Sequence, residues 1–203
     1  MARTDERDSS FVKIVFVCDF YKKDLNNKGG AENNDSVLIS KLEEKGYKVE
    51  KHYASSITED FLQENKDNFF IIGNFISLSE KVKNLFHDKD YVIYEHDHKY
   101  IKSRNPGLYD NFIAPKQQII NLEFYRKAAA VLCQSNFHLK NIKNNIGIGN
   151  LINLSGNLWS ISSLQFMKKI NNSNDTKSDK CCILDSSIAH KNTQDAIKYC
   201  KTL

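Results

Sequence analysis

Short apolar runs alternate with longer polar or amphipathic stretches along most of this chain. Apolar runs this short, bounded by polar segments, are typical of buried β-strands. We therefore predict six strands, at Phe11–Cys18, in a segment that starts at Tyr47, and at Phe69–Ile72, Tyr91–Tyr94, Ala128–Cys133 and Asn150–Leu154.

The stretches between the apolar runs carry the spacing of helices. In Ala31–Lys45, Val37, Leu38 and Leu42 share one face, and Gly46 follows as a C-terminal stop. Strands that alternate with helices indicate an α/β fold, in which a Rossmann-like parallel sheet has helices on both faces. The other predicted helices are Ser79–Phe86, Asn136–Asn144 and Ser160–Ile170.

The composition divides the chain into four parts. A polar tail occupies residues 1–10, the α/β domain spans 11–170, and an Asn- and Ser-rich linker follows at 171–180. Residues 181–203 then open a second unit with a predicted strand, Cys181–Asp185, and a predicted helix, Asn192–Lys201. Because one strand and one helix bury little surface, we expect them either to pack back on the first domain or to begin a longer second, donor-binding domain.

Charge and cysteine content narrow the class of protein. The net charge of +4 comes from 29 basic and 25 acidic residues without a basic stripe, which does not favour nucleic acid as a partner. The five cysteines form no C-x-x-C pair and are odd in number, as expected for free thiols in a reducing cytoplasm. No apolar run approaches the ~20 residues of a transmembrane helix, so we expect a cytoplasmic protein with no transmembrane segment.

The sequence Lys28-Gly29-Gly30-Ala31-Glu32 lies between the first predicted strand and the first predicted helix. Two glycines leave no Cβ to block a ligand, and the free N–H groups of a helix N-terminus attract anions. This loop is a candidate phosphate site. The alternative is a tight turn, in which Glu32 serves only to balance the helix dipole.

The densest group of titratable residues follows the fourth predicted strand and comprises Glu95, His96, Asp97, His98 and Lys99. A histidine beside a carboxylate is a candidate general base. No third ligand completes a metal site at convincing spacing, so we predict no metal. The alternative is a solvated loop of mutually paired charges.

Ligands of parallel sheets bind beyond the carboxyl ends of the strands, where the sequence also places Asn74, Gln134, Ser135 and Asn157.

These motifs together resemble the N-terminal domain of GT-B glycosyltransferases, and the retaining, nucleotide-sugar-dependent family 4 in particular. The resemblance rests on Lys-Gly-Gly-Ala-Glu opening a helix, on the Glu-His-Asp sequence after a strand, and on Cys133-Gln134-Ser135 ending a strand before a helix. It covers about residues 11–170.

The resemblance implies an enzyme that transfers sugar from a UDP, GDP or ADP sugar to an acceptor hydroxyl without a separate cofactor. By analogy, Gly29 and Gly30 approach the donor diphosphate. His96 is the first choice for the catalytic histidine and His98 the second, and Asp97 orients the ring. The expected acceptor or cleft-lining residues are Glu32, Asn74, Glu95, Lys99, Arg104, Gln134, Ser135 and Asn157.

Family members also carry a second domain, whose Glu-x7-Glu element and basic residues grip the nucleotide. The sequence stops before such a region, so we expect an acceptor-side half that is weak or inactive alone and is completed by a further domain or by homo-oligomerisation. Two alternatives remain open. One is a non-catalytic module that binds a glycan, a nucleotide or a protein, and the other is an unrelated dinucleotide-binding protein. The latter lacks its Gly-x-Gly-x-x-Gly signature here.

Overall fold

The computed structural model describes residues 13–22, 29–173, 181–183 and 192–202. Internal contacts divide the chain into two compact units, Met1–Ser160 and Ile161–Leu203. Each unit is described by itself. Lys28 and most of the predicted tail and linker lie outside the described residues.

The first unit alternates six strands with five helices in the described part of the chain. β1 is followed by α1, β2 by α2, β3 by α3, and β4 by a long loop that leads to α4, β5, α5 and β6. Their bounds are β1 Ile14–Cys18, α1 Gly30–Glu44, β2 Val49–Tyr53, α2 Glu59–Glu64, β3 Phe69–Ile72, α3 Glu80–Leu85, β4 Tyr91–Tyr94, α4 Leu122–Lys127, β5 Ala130–Cys133, α5 Asn136–Ile146 and β6 Leu151–Asn153.

All six strands are parallel and form one sheet in the order β2-β1-β3-β4-β5-β6. The chain moves outward from β1 to β2 and then returns to the other side of β1 with β3. The strand order therefore reverses between β1 and β3, which is where parallel α/β sheets open a crevice for ligands.

Alternating side chains along the strands supply two separate cores. One face of the sheet, with Val17, Ile72 and Ile93, packs on apolar residues of α2, α3, α4 and α5. The opposite face, with Phe16, Ile71 and Tyr94, packs on α1 through Ile39. The sheet thus has helices on both faces, and the predicted α/β fold with a Rossmann-like parallel sheet is confirmed.

A long loop separates β4 from α4 and rises from the carboxyl edge of the sheet. Its ends are tied together where Ile101 and Ile119 form an antiparallel bridge. The Lys102 N–H donates to the Gln118 carbonyl at 2.9 Å, and the Ile120 N–H donates to the Tyr100 carbonyl at 2.9 Å. The loop between them consists largely of short turns.

The second unit contains α6 (Ile161–Asn171) and α7 (Thr193–Cys200) in its described part. The predicted helices Ser160–Ile170 and Asn192–Lys201 correspond to them within one residue at each end. The strand predicted at Cys181–Asp185 is not confirmed, because residues 181–183 have no strand structure and the last two residues lie outside the described residues. None of the helices in the described ranges has the length and apolar character needed to cross a bilayer.

Two short helices of the first unit, α2 and α4, were not predicted. Each has only six residues, which is less than two turns of helix. The Thr58 side chain accepts a hydrogen bond from the Phe61 N–H and starts α2. α4 follows Asn121, whose left-handed backbone turns the chain out of the long loop.

Candidate functional site

A buried histidine–aspartate pair lies at the carboxyl edge of the sheet. His96 comes two residues after β4, and its Nε2 lies 2.6 Å from Asp35 Oδ1 of α1. The other ring nitrogen, Nδ1, lies 3.0 Å from the side-chain Nε2 of Gln134, which follows β5. The imidazole is 6% exposed and the carboxylate 3%, so water screens their interaction little.

The partners of the ring determine which nitrogen carries its proton. A carboxylate only accepts hydrogen bonds, so His96 donates its Nε2–H to Asp35. In this tautomer Nδ1 has a lone pair, and it accepts a hydrogen bond from the Gln134 amide. His96 is thus oriented by an anion behind it and presents a basic nitrogen on its other side. The Gln134 amide covers that nitrogen in the structure.

Gly73, directly after β3, makes room for Asp35. A Cβ at residue 73 would lie 2.8 Å from Asp35 Oδ2 and 3.0 Å from Oδ1. These distances are shorter than a real Cβ tolerates, and the hydrogen bond to His96 leaves the carboxylate little freedom to move. The glycine therefore lets α1 bring its carboxylate over the end of β3, beside the point where the strand order reverses.

The first turn of α1 supplies the candidate phosphate site. Gly29 precedes the helix and gives it no side-chain cap, and no other side chain of the described residues lies within 4 Å of a Cβ placed at Gly30. The Glu32 carboxylate folds back against Gly29, where the helix dipole attracts negative charge. The Glu32 carboxylate thus occupies the end of the helix at which an anion would bind.

A cavity of about 300 Å³ lies next to the histidine–aspartate pair. Tyr94 forms one wall, and its ring meets the His96 ring edge-on at 4.4 Å between centroids. Asn34 links Tyr94 to Leu158, another lining residue, because its Oδ1 accepts hydrogen bonds from the Tyr94 hydroxyl and the Leu158 N–H. The remaining lining residues are Leu38, Leu132, Leu154, Ser155, Gly156 and Asn157.

A second polar network is buried under the loop that follows β4. Glu95 is fully buried, accepts a very short hydrogen bond from the Tyr125 hydroxyl, and pairs with Lys99 at 3.1 Å. Asp97 Oδ1 lies 2.8 Å from the same ammonium group. Burial by itself lowers the pKa of Lys99, yet Glu95 and Asp97 hold that pKa above its ordinary value. The Lys99 ammonium group therefore stays charged in the interior, balanced by the carboxylates of Glu95 and Asp97.

Two neutral imidazoles lie beside this network. The rings of His98 and His138 are 4.7 Å apart between centroids, and His98 Nδ1 forms a hydrogen bond with the Tyr100 hydroxyl at 2.9 Å. Burial, then the neighbouring His138 and Lys99, lowers the pKa of His98 to about 4. Burial also lowers the pKa of His138. The pair therefore stays uncharged near neutral pH.

The structure brings together several of the residues predicted from sequence and corrects others. His96, Gln134 and Glu32 lie at the carboxyl edge of the sheet, and Asn157 lines the cavity. The prediction that Asp97 orients the His96 ring is wrong. Asp35 does so, because α1 carries its carboxylate to Nε2, whereas Asp97 pairs with Lys99 and Arg104.

Glu95 and Lys99 do not line the cleft as predicted, because both side chains are buried and form an ion pair with each other. His98, the second choice for catalysis, is held by Tyr100. The hydroxyl of Ser135 caps α5 by accepting from the His138 N–H. Asn74 lies just after β3 with a buried side-chain oxygen that has no hydrogen-bond partner among the described residues.

The sequence did not identify Asp35, Tyr125 or His138 as members of the polar networks at this edge of the sheet. Asp35 had a signal, since it lies four and seven residues before Ile39 and Leu42, on the buried stripe of its helix. A carboxylate on an apolar stripe needs a buried partner. Tyr125 and His138 had no such signal, because their partners come from the long loop after β4.

Comparison with known proteins leaves the family of this chain open. No family model matches it, and no curated protein has a similar sequence. Within the described residues, no group of three or more His, Cys, Asp or Glu side chains is placed to hold a metal ion.

Replacing Gly73 with alanine should destabilise the fold by about 1 to 3 kcal/mol, because the new methyl group overpacks the Asp35 carboxylate. Urea unfolding of the variant measures this loss. Gly149→Ala is the matched control, since a Cβ there has no neighbour within 4 Å among the described residues beyond those adjacent in the chain. Equal unfolding free energies for the two variants would contradict the close approach of Asp35 to Gly73.

The unfolding free energy should fall as the pH drops from about 6.5 towards 4. The folded chain resists protonation of His98, whose pKa is lowered from 6.5 to about 4, while the unfolded chain takes up the proton readily. Stability is thus full above the unfolded pKa and declines below it, by about 1 to 3 kcal/mol. Denaturant titrations across this range measure the decline.

His98→Gln should flatten this pH dependence, because glutamine keeps an acceptor for Tyr100 but does not titrate. His87→Gln is the control, since His87 is a half-exposed histidine outside the network. An unchanged slope in His98→Gln would show that other groups govern the acid sensitivity.

Proposed function

We propose that this chain is the acceptor-side half of a glycosyltransferase that uses a nucleotide sugar as its donor. The observation that carries the proposal is the His96–Asp35 pair, buried at the carboxyl edge of a Rossmann-like sheet, with Asp35 on the helix that begins at Gly30. The family 4 resemblance of the loop, the Glu-His-Asp sequence and the Gln-Ser strand end supports the same assignment.

In the proposed reaction the acceptor hydroxyl displaces the Gln134 amide and donates its hydrogen bond to His96 Nδ1. The hydroxyl oxygen forms a bond to the anomeric carbon of the donor, and the bond from that carbon to the diphosphate oxygen breaks. The hydroxyl proton passes to Nδ1. Asp35 then stabilises the resulting imidazolium, as a buried carboxylate does for a catalytic histidine.

The donor diphosphate lies over Gly29 and Gly30 in this proposal, with its charge facing the N-terminus of α1. Binding moves the Glu32 carboxylate away from Gly29, because two anions repel each other at one helix end. The remaining donor contacts come from a further domain or subunit. The reaction needs no separate cofactor, and we place it in the cytoplasm.

A second candidate function is a non-catalytic module that binds a glycan, a nucleotide or a protein. The observation in its favour is that both ring nitrogens of His96 already have partners. In that case the pair only fastens α1 to the end of β4, and the cavity beside Tyr94 is the binding site. This candidate predicts ligand binding that is indifferent to the charge at the start of α1.

We expect one class of nucleoside diphosphate to raise the thermal midpoint of the chain, because a ligand that binds only the folded state stabilises it. Differential scanning fluorimetry against UDP, GDP, ADP and their common sugar conjugates provides the measurement. Glu32→Gln should increase the shift, since it removes the competing carboxylate. Gly30→Val should decrease it by filling the open space at the helix start.

Glu44→Gln is the matched control, because Glu44 is an exposed glutamate at the other end of α1. The proposal is supported if only the changes at Glu32 and Gly30 alter the shift. It is contradicted if none of the nucleotides stabilises the chain, or if the shift is the same in Glu32→Gln, Gly30→Val and Glu44→Gln.

A further inference from the structure

Four large apolar side chains are exposed together on the loop after β4 and the start of α5. Leu108 is 66% exposed, Phe112 41%, Ile113 49% and Phe137 58%. The rings of Phe112 and Phe137 meet edge-on at 5.2 Å between centroids, which joins the loop to the helix. We refer to these four residues as the loop patch. A contiguous apolar group on a surface marks an interaction site more often than scattered single residues do.

The backbone of the loop patch is held in an unfavourable conformation. Phe112 has a φ of 61° and the preceding Asn111 a φ of 52°, and an aromatic residue rarely adopts this left-handed region. Asn145 of α5 fixes the turn from both sides: its amide donates to the Phe112 carbonyl at 2.9 Å, and its Oδ1 accepts from the Ala114 N–H at 2.8 Å. Packing and hydrogen bonds thus hold Phe112 in a strained backbone conformation, and its ring stays exposed.

Four exposed lysines lie on the same loop and helix as the loop patch. Lys140 lies one helical turn after Phe137, and Lys143 follows by another turn. Lys102 lies at the base of the loop, where its backbone N–H donates to the Gln118 carbonyl. Lys116 lies two residues before Gln118. None of the four lysines forms an ion pair within the described part of the chain, where the loop carries a single exposed, unpaired acid, Asp110.

We propose that the loop patch docks on an anionic lipid bilayer, with its apolar side chains inserted at the headgroup boundary and the four lysines against lipid phosphates. Exposed apolar side chains and unpaired cations on one loop and the helix next to it match the two layers that such a surface presents. A protein partner would have to bring matching acids to every lysine, whereas an anionic bilayer supplies negative charge in all directions. This inference is independent of the proposed function, because it uses neither His96 nor the glycine turn.

Flotation of the full chain with lipid vesicles tests the proposal. The chain should bind vesicles of phosphatidylcholine mixed with phosphatidylglycerol, and should bind those of phosphatidylcholine alone much less. Phe112→Gly and Phe137→Ala should each lower the partition coefficient about tenfold by removing an inserted ring. Lys140→Gln should lower it about fivefold, and added salt should weaken binding.

Both aromatic variants should fold as well as the original chain. Glycine adopts the backbone of residue 112 without strain, and alanine favours the helical position of residue 137. Their thermal midpoints check this point. Phe20→Ala is the matched control, because it removes a ring of similar exposure that follows β1.

Three outcomes would overturn the proposal. The first is a failure to float with anionic vesicles, and the second is equal binding by Phe20→Ala, Phe112→Gly and Phe137→Ala. The third is a loss of binding in Phe166→Ala that the loop patch variants do not share, since it would assign the membrane contact to α6, where this exposed ring lies.

Discussion

The parallel arrangement of all six strands determines where the polar groups of this chain lie. In a parallel sheet every strand ends at the same edge, so the segments after β1, β3, β4 and β5 meet in a narrow space. Both faces of the sheet are covered by helices, which leaves this edge as the place where buried polar side chains meet. Each charge brought there needs a partner, because a low-dielectric surrounding penalises an isolated ion severely.

Two polar networks meet that requirement on either side of the end of β4. In the first, α1 supplies Asp35 to the His96 ring, and Gly73 provides the space. In the second, Glu95 and Lys99 neutralise each other beneath the long loop, together with Tyr125. In the second network the Glu95 carboxylate and the Lys99 ammonium group pair with each other, whereas the first network keeps a basic nitrogen covered only by the amide of Gln134. This difference is why we assign chemistry to the first network and support of the loop to the second.

The sequence was sufficient to predict the strands, because their apolar runs are short and continuous and are separated by polar segments. It also placed His96 and Gln134 at one edge of the sheet, since the end of a strand fixes its position. It failed for Asp35, whose contact with His96 spans 61 residues and depends on how α1 packs on the sheet. Nearness in sequence suggested Asp97 instead. The exposed ring of Phe112 was equally hidden, because its left-handed backbone depends on Asn145 in α5.

The central claim is that Asp35 fixes His96 in the tautomer whose Nδ1 is unprotonated and basic, and nitrogen NMR of the imidazole tests it most directly. A two-dimensional spectrum that links the ring nitrogens to the ring protons distinguishes the two tautomers. We predict a protonated Nε2 and an unprotonated Nδ1 for His96, with this preference weakened in Asp35→Asn. A proton on Nδ1 in the original chain, or a spectrum unchanged by Asp35→Asn, would contradict the account.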